Sequence, residues 1–428
     1  MITKTAHVVV AISLVFSANA YADTAKGRIH FLSNKAKTIQ IVQDGNAVLV
    51  SFDDNTEFVN ADGAKELGHD DLIVIEYQAG KPATKITKQV FGIAKELEVD
   101  VDQLEAIRHG STPYVLVDAR PPKRFGAGHI PGAISIAGDK IAENADKLPA
   151  DKNHLIIFYC GGPTCPFTAK AIAGAQALGY TNVKGFQAGL PGWKKAGKPV
   201  SASPAWVAEN LNENHVVLDT RAQPGNEHLP TAATMPATYF TGWTSYFVNN
   251  GVKARLPGAS DKAAPIILYG ATDQDPDLLV AFGELKKWGY KNPSIMEGGI
   301  SDWKSAGRKL ESGAPADQIR YVRKLRKGAI EPARFKTLAT DPAAAAIIDV
   351  RAKNETGGGA VKGALLIPLD ELESRASDLP TDKPIITYCS NGIRAEMAYE
   401  LLKNKGFEQV NFLNETIHPA ADGSFRIE

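Results

Sequence analysis

One short stretch of sequence occurs three times along the chain and limits what the chain can fold into. It reads Ile156-Ile157-Phe158-Tyr159-Cys160, then Ile266-Ile267-Leu268-Tyr269-Gly270, then Ile385-Ile386-Thr387-Tyr388-Cys389. Each copy is a run of β-branched and aromatic residues, which is typical of a strand buried on both faces. In the first and third copies the strand ends at a cysteine, and a turn and a helix-like segment follow. Open α/β sheets carry their chemistry at such strand ends.

The surroundings of this stretch repeat too, with a period too long for a solenoid. An earlier strand in each copy runs into an aspartate two residues before an arginine: Asp118-Ala119-Arg120, Asp219-Thr220-Arg221 and Asp349-Val350-Arg351. The second copy is lengthened by an aromatic insertion at residues 239–253. Upstream, five short strand patterns separated by turn residues indicate a small, barrel-like, all-β domain. We predict a β domain at 23–92, three repeat domains at 93–200, 201–312 and 329–428, and a linker at 313–328.

Composition and the N-terminal segment exclude several classes of protein. Lys+Arg and Asp+Glu are equal at 48 each, so nothing favours nucleic acid as a partner. The segment 1–22 contains Lys4, an apolar stretch too short to span a bilayer, and an A-x-A cleavage site at Ala20-Tyr21-Ala22. We predict a cleaved signal peptide at 1–22, a periplasmic or secreted mature protein, and no membrane span.

The ordered set of motifs resembles the rhodanese (sulfurtransferase) family. The first copy also carries Gly128-His129-Ile130-Pro131-Gly132 and Gly189 with Gly192-Trp193, and the third carries Gly363-Ala364. The second copy matches through Glu297-Gly298-Gly299-Ile300 and Trp303, but has Gly270 in place of cysteine. The resemblance covers about residues 93–428. It implies an α/β fold of three domains, each an open, mainly parallel sheet flanked by helices, with a persulfide on the loop cysteine.

The loop at 389–394, the third loop, has the features that a bound sulfur anion needs. Successive backbone N–H groups and the start of the next helix form an anion-binding nest, which stabilises a thiolate or persulfide. Gly392 permits a positive φ, and Arg394 adds a charge that could pair with an oxyanion. A loop of this length accompanies sulfur transfer in the family, whereas related phosphatases have one residue more. We predict Cys389 as catalytic, and as substrate-binding residues Ser390, Asn391, Gly392, Ile393 and Arg394.

The loop at 160–166, the first loop, is less regular. Pro163 has no N–H to donate, and Cys165 replaces the arginine of the third loop. We predict Cys160 as a second catalytic cysteine, with the substrate-binding residues Gly161, Gly162, Thr164 and Cys165. Two roles for Cys165 remain open. It could resolve a persulfide on Cys160 and release sulfide, or it could simply pack beneath the helix.

The second loop, at 270–276, cannot carry sulfur, and its domain is predicted to be a scaffold. Asp273, Asp275 and Asp277 place negative charge where an anion would bind; a metal site on these three is a weaker alternative, since no histidine joins them. The acid–arginine pairs recur in all three copies, so we predict a supporting role for Asp118, Arg120, Asp349 and Arg351. His129 is predicted to be structural, because Ala360 stands in its place in the third copy.

These features predict an exported sulfurtransferase that uses no metal or organic cofactor. Its partners would be a small sulfur donor, such as thiosulfate or a polysulfide, and a thiol or cyanide acceptor; a protein acceptor is the further alternative. A different hypothesis is a sulfur carrier without turnover, in which the β domain and the second repeat domain present the persulfide. Another is a thiol–disulfide protein that uses Cys160 and Cys165.

Overall fold

A computed structural model describes residues 23–428 of the protein, so the predicted signal peptide at 1–22 lies outside the described residues. The chain divides into two compact units. One contains residues 90–327, and the other contains the residues up to 89 together with 328–428. Within residues 23–428, no helix has the length and apolar character needed to cross a membrane.

The β domain is a six-stranded sheet. Its longest strand, Asp23–Ser33, alternates exposed and buried residues over much of its length, as expected for a strand with one face on a core. The strands, in spatial order, are Asn46–Ser51, Thr38–Gln43, Asp23–Ser33, Leu72–Tyr77, Lys85–Lys88 and Glu57–Val59. The three-residue strand Glu57–Val59 was not predicted, since it is too short to show a period of two.

The first repeat domain has a parallel four-stranded sheet with helices around it. The strands, in spatial order, are Val183–Phe186, Leu155–Tyr159, Tyr114–Asp118 and Ile134–Ser135. The helices are Val101–His109, Pro122–Gly126, Phe167–Ala177 and Gly189–Lys195. A capping box fixes the start of the first helix: the Asp100 carboxylate accepts from the Gln103 N–H at 2.8 Å, and the Gln103 side chain accepts from the Asp100 N–H at 2.9 Å.

The second repeat domain extends the same plan to five parallel strands. In spatial order they are Ser201–Ala202, Asn292–Met296, Pro265–Tyr269, Val216–Asp219 and Ala233–Thr234, and a short antiparallel pair joins Glu227–His228 to Glu311–Ser312. The helices are Pro204–Asn210, Ala237–Asn250, Pro276–Lys287 and Gly299–Ser305. The aromatic insertion predicted at 239–253 falls mostly in the helix Ala237–Asn250, which places Phe240 and Phe247 in the core of this domain.

The third repeat domain keeps the parallel sheet but ends differently. Its strands, in spatial order, are Leu365–Leu366, Ala346–Asp349, Ile385–Tyr388 and Val410–Phe412, and its helices are Pro332–Ala339, Leu369–Leu372 and Ile393–Asn404. An antiparallel hairpin, Ile417–Pro419 with Phe425–Ile427, follows the last sheet strand. In the first two repeat domains a helix occupies that place in the chain. The three parallel sheets flanked by helices, preceded by an all-β domain, confirm the predicted fold class.

The β domain and the third repeat domain belong to one compact unit and share a core. Phe31 of the β domain is buried in the same apolar cluster as Met397 and Leu402 of the helix Ile393–Asn404. At the end of that helix the Asn404 side chain donates to the backbone oxygen of Ala47 at 3.3 Å. The β domain is therefore packed against the helix that begins at the third loop.

Candidate functional site

The three repeated strands end at equivalent places in their sheets. Cys160, Gly270 and Cys389 each directly follow a strand that has sheet neighbours on both sides. The neighbouring strand ends at Asp118, Asp219 or Asp349, which pairs in register with the tyrosine before the loop. The parallel strands thus bring each loop and each acid–arginine pair to the same edge of a sheet.

The third loop holds Cys389 against polar side chains although the residue is fully buried. Its Sγ lies 3.7 Å from the Asn391 side-chain oxygen. Gly392 has a φ of +85° and directly precedes the helix Ile393–Asn404, so the left-handed conformation that the sequence predicted is the one that turns the chain into the helix. Ser390 and Asn391 complete the loop, and Ile393 is about two-fifths exposed, at 38%.

Arg394 is turned inward and engaged by an acid that the sequence did not reveal. The two oxygens of Glu355 bind the two terminal nitrogens of Arg394, with 2.9 Å between Nη2 and Oε1, and both side chains are almost completely buried. Burial lowers the pKa of Arg394, but hydrogen bonding to Glu355 and the proximity of Cys389 raise it above its ordinary value. The arginine is therefore always charged and lies next to the cysteine sulfur.

Glu355 also accepts hydrogen bonds from outside this pair. Its carboxylate lies 2.6 Å from Lys35 Nζ of the β domain, 3.1 Å from the Ala352 N–H and 3.5 Å from the Ser390 hydroxyl. Burial would raise the pKa of this carboxyl, but the hydrogen bonds from Arg394 and Lys35 lower it to about 2. Glu355 is thus ionised at neutral pH.

The first loop surrounds its cysteine with a thiol, a backbone oxygen and apolar groups, and has no charged side chain in the place of Arg394. Cys160 and Cys165 are both buried thiols in one apolar cluster. A turn in which the Cys165 N–H donates to Gly162 O at 3.0 Å folds Cys165 back, and Cys160 Sγ donates to Cys165 O at 3.3 Å. Gly161 lies beside Cys165, and Thr164 is buried. The predicted substrate-binding residues of this loop therefore lie around Cys160.

The ionisation of Cys160 is opposed by its surroundings. Hydrogen bonding to Cys165 and burial, in that order, raise the pKa of the Cys160 thiol above its ordinary value. Two thiols this close cannot both ionise easily, because the second charge would form against the first. The first loop therefore favours the neutral form of the Cys160 thiol.

The second loop contains its own anion. Asp275 accepts from the Ala271 N–H at 2.7 Å and from the Thr272 hydroxyl at 3.1 Å. A Cβ added to Gly270 would lie 2.4 Å from an Asp275 oxygen, so the carboxylate occupies the space that a cysteine side chain would need. Within residues 23–428, no three His, Cys, Asp or Glu side chains group into a metal site, and this includes the three aspartates considered above.

The acid–arginine pairs build a common frame in all three domains. Each aspartate carboxylate binds the guanidinium two residues later through two nitrogens, and each arginine also donates to a backbone oxygen, that of Gly128, Glu227 or Gly359. The tyrosine before each loop accepts a backbone N–H, that of Ile130, Leu229 or Val361. Because the copy with Gly270 also retains this frame, the geometry of the pairs fits a role in holding the sheet edge.

His129 lies between the first two repeat domains. Its ring stacks on Phe125 with 3.7 Å between centroids, and it is fully buried. Nδ1 lies 3.0 Å from Phe125 O, and Nε2 lies 2.7 Å from Glu297 Oε1 of the second domain. None of these contacts is to a loop cysteine, which fits the structural role predicted for this histidine.

The backs of the loops are closed in two different ways. Gly189 packs so tightly that an added Cβ would lie 2.3 Å from Cys160 O, and Gly299 approaches Ala271 O in the same manner at 2.6 Å. In the third domain Asn414 packs against Gly392, and the Ile417 N–H of the C-terminal hairpin donates to Ser390 O at 3.2 Å. The hairpin thus replaces the helix as the support of the third loop.

Comparison with known proteins agrees with this geometry. A family model described as "Rhodanese-like domain" matches residues 100–196, 203–306 and 331–418. The chain belongs to the rhodanese-like family. All three repeat domains, including the one with Gly270, are therefore members of a sulfur-transfer family.

Individual curated proteins match parts of the chain. The uncharacterized protein YqhL of Bacillus subtilis is 41% identical over 66 residues, which cover 15% of this chain and 52% of that protein. The tRNA uridine(34) hydroxylase of Corynebacterium jeikeium is 50% identical over 42 residues, which cover 10% of this chain and 14% of that enzyme. The chain thus spans about half or less of the length of these curated relatives.

Two solved structures show the same pattern of partial likeness. A thiosulfate sulfurtransferase from Pseudomonas aeruginosa is 17% identical, with a TM-score of 0.23 over 74% of this chain and 66% of that one. The BH2092 protein from Bacillus halodurans is 37% identical, with a TM-score of 0.23 over 24% of this chain and 76% of that one.

Proposed function

We propose that this protein is a sulfurtransferase in which Cys389, and also Cys160, carries sulfane sulfur as a persulfide. The observation that carries the proposal is the third loop, where a buried thiol at a strand end lies next to the always-charged Arg394. A cation beside a sulfur stabilises the thiolate, which is the nucleophile, and equally the persulfide anion that it becomes.

The transfer takes place in two steps. The Cys389 thiolate attacks the outer sulfur of thiosulfate, the S–S bond of the donor breaks, and sulfite leaves with the bonding pair while Cys389 keeps a persulfide. An acceptor thiol or cyanide then attacks the outer sulfur of the persulfide, takes it as a new persulfide or as thiocyanate, and returns the Cys389 thiolate. A polysulfide donor would follow the same path with a shorter polysulfide as the leaving group.

Intact mass after incubation with thiosulfate, or separately with polysulfide, tests the proposal. We expect one added sulfur atom per active cysteine, removed by cyanide, and no addition in the Cys389→Ser/Cys160→Ser double variant. Unchanged addition in that double variant, or none in the parent with either donor, contradicts the proposal. Repeated turnover distinguishes an enzyme from a carrier, because a carrier loads once and then needs a partner protein.

The first loop supports a second candidate function, thiol–disulfide exchange. Cys160 Sγ donates to the backbone oxygen of Cys165, so the two thiols lie on one short turn. A redox titration of the Cys389→Ser variant, with a disulfide oxidant and then a thiol reductant, tests it. A reversible loss of two hydrogens that disappears in Cys165→Ser supports exchange, and persulfide loading that survives Cys165→Ser favours sulfur transfer.

We also propose that the protein is exported and that residues 1–22 are removed. The support is the charged start, the short apolar stretch and the A-x-A site of that segment. N-terminal sequencing of the protein isolated from its native cells should start at or near Asp23, and a retained Met1 would contradict this.

A further inference from the structure

A residue of the β domain lies at the third loop. Lys35 belongs to the turn between the strands Asp23–Ser33 and Thr38–Gln43, and its Nζ lies 2.6 Å from Glu355 Oε1. The same oxygen lies 3.5 Å from the hydroxyl of Ser390, the residue after Cys389. Lys35 is therefore adjacent to the start of the loop.

The three charged side chains differ sharply in their access to solvent. The side chains of Arg394 and Glu355 are 4% and 5% exposed, whereas that of Lys35 is 66% exposed. Glu355 also occupies both terminal nitrogens of Arg394. An incoming ligand can therefore reach Lys35, whereas Arg394 is buried and paired with Glu355.

The charges of the cluster explain why a second cation matters. Arg394 and Glu355 form a bidentate pair, so their charges compensate each other at short range. A donor anion that approaches the Cys389 thiolate of the proposed reaction would then meet a negative sulfur, and the compensated pair would offer it little net positive charge. Lys35 adds the positive charge that offsets this repulsion.

The strand that leads into the turn of Lys35 is packed on the third repeat domain. Phe31 is buried in the core of the third repeat domain. Lys37, two residues after Lys35, instead pairs with Asp54 of its own domain at 2.7 Å. The same hairpin therefore provides a matched lysine that contacts neither Glu355 nor the loop.

We propose that Lys35 recognises the anionic sulfur donor of the third-domain site, so that the β domain contributes substrate specificity to it. This rests on the function proposed above for Cys389. The ligand is a small sulfur anion, a class that includes thiosulfate and polysulfide. In this role Lys35 acts on donor approach, and Arg394 acts on the sulfur of Cys389.

The test compares an anionic and a neutral reagent on Cys389 as the only thiol. In a Cys160→Ser/Cys165→Ser background, the alkylation rates with iodoacetate and iodoacetamide are measured. We expect Lys35→Met to lower the iodoacetate rate about fivefold and to leave the iodoacetamide rate within about twofold, because only the first reagent is charged. Lys35→Arg should restore the parent ratio, and Lys37→Met should not change it.

Each other outcome has a defined meaning. An unchanged ratio in Lys35→Met overturns the inference, and so does an equal loss with both reagents, which would indicate a structural role. A folded parent in which Cys389 reacts with neither reagent contradicts both proposals. A parent that is alkylated but takes no sulfur from thiosulfate or polysulfide contradicts the proposed function, while the reagent ratio still decides the role of Lys35.

If the ratio changes, the KM for loading distinguishes the two donors. A KM for thiosulfate that rises in Lys35→Met, with little change in kcat, identifies the oxyanion as the group that Lys35 recognises. The same rise with polysulfide alone identifies the sulfur chain. A change in neither KM overturns the role in donor recognition.

Discussion

The first and third loops follow equivalent strands, yet they surround their sulfur atoms with opposite chemistry. Beside Cys389 lies Arg394, which Glu355 holds in place. In the first loop Cys165 stands five residues after Cys160, where the third loop has its arginine, and it raises the pKa of Cys160. The shared fold thus fixes where the sulfur lies, and the residue five positions after the cysteine determines whether a cation or a second thiol lies beside it.

The second loop shows a further outcome on the same frame. Its aspartate–arginine pair and its tyrosine are in place, but Asp275 fills the loop from within. The aspartate–arginine frame is therefore compatible with a loop that has no cysteine. The three loops differ in the side chains at the first position after the strand and at the position five residues later.

The largest expected effect comes from removing the charge that distinguishes the third loop. Arg394→Met leaves the buried Glu355 carboxylate with Lys35 as its cationic partner, and the breaking of a buried pair costs about 3 kcal/mol. Hydrogen exchange of the amides in Ile393–Asn404 should accelerate accordingly. Tryptophan fluorescence would miss this change, since all five tryptophans lie between positions 193 and 303.

The double variant Arg394→Met/Glu355→Leu provides the control for that prediction. It removes both charges, so we expect it to regain much of the lost protection of the helix. If Arg394→Met alone leaves exchange of these amides unchanged, the ion pair does not stabilise the third loop.

The second effect compares the glycines of the two loops. Gly162 and Gly392 both have positive φ, at +100° and +85°. Alanine at either site costs about 1 kcal/mol in backbone strain. At Gly392 the added Cβ would also lie 2.9 Å from Asn414 Cα, whereas at Gly162 its nearest neighbour is 3.6 Å away.

We therefore expect Gly392→Ala to cost about 1 kcal/mol more than Gly162→Ala, because the first also overpacks its site. Hydrogen exchange of the helix that follows each loop measures both costs in the full chain. Equal losses of stability in the two variants would show that the third loop and Asn414 move apart to accommodate the added methyl group.

A smaller effect is expected when the neighbouring thiol of the first loop is removed. Cys165→Ser takes away the group that raises the pKa of Cys160, so a larger fraction of Cys160 is thiolate at neutral pH. In a Cys389→Ser background we expect iodoacetamide to alkylate Cys160 about fivefold faster at pH 7. A slower reaction would mean that Cys165 activates Cys160.

The smallest effect concerns the acid behind the third loop. The pKa of Glu355 is lowered from 4.5 to about 2, so its ionised form stabilises the folded protein above about pH 4.5. That contribution is lost as the pH falls through the folded-state value. Carbon-13 NMR of labelled glutamates should show this titration, and Lys35→Met should move its midpoint to higher pH, because the hydrogen bond from Lys35 lowers the pKa of Glu355.

Much of the fold was predictable from local patterns, because each repeated strand is a short run of β-branched and aromatic residues, which favours a buried strand over a helix. The helix Val101–His109 begins after a capping aspartate, Asp100, which is a start signal that local sequence can reveal. The three-residue strand Glu57–Val59 left no such pattern.

The loop residues of the site could be predicted from the sequence, but the charged partners of those residues could not. Cys389, Gly392 and Arg394 were visible as a loop after a strand. Their partners Glu355 and Lys35 were not, because ion pairs that join residues 39 and 320 positions apart have no local signature. The blocked second loop was partly visible, since Asp275 lies within the loop itself.

The hairpin at Ile417–Pro419 and Phe425–Ile427 has a practical consequence for anyone who handles this protein. Its first strand is hydrogen-bonded to Ser390, and Glu428 N–H donates to Thr416 O at 2.9 Å. A tag or fusion attached after Glu428 would therefore be joined directly to the hairpin whose first strand supports the third loop. If such a fusion lost activity, the first explanation to test would be a displaced hairpin and third loop, and only then a change in the reacting residues.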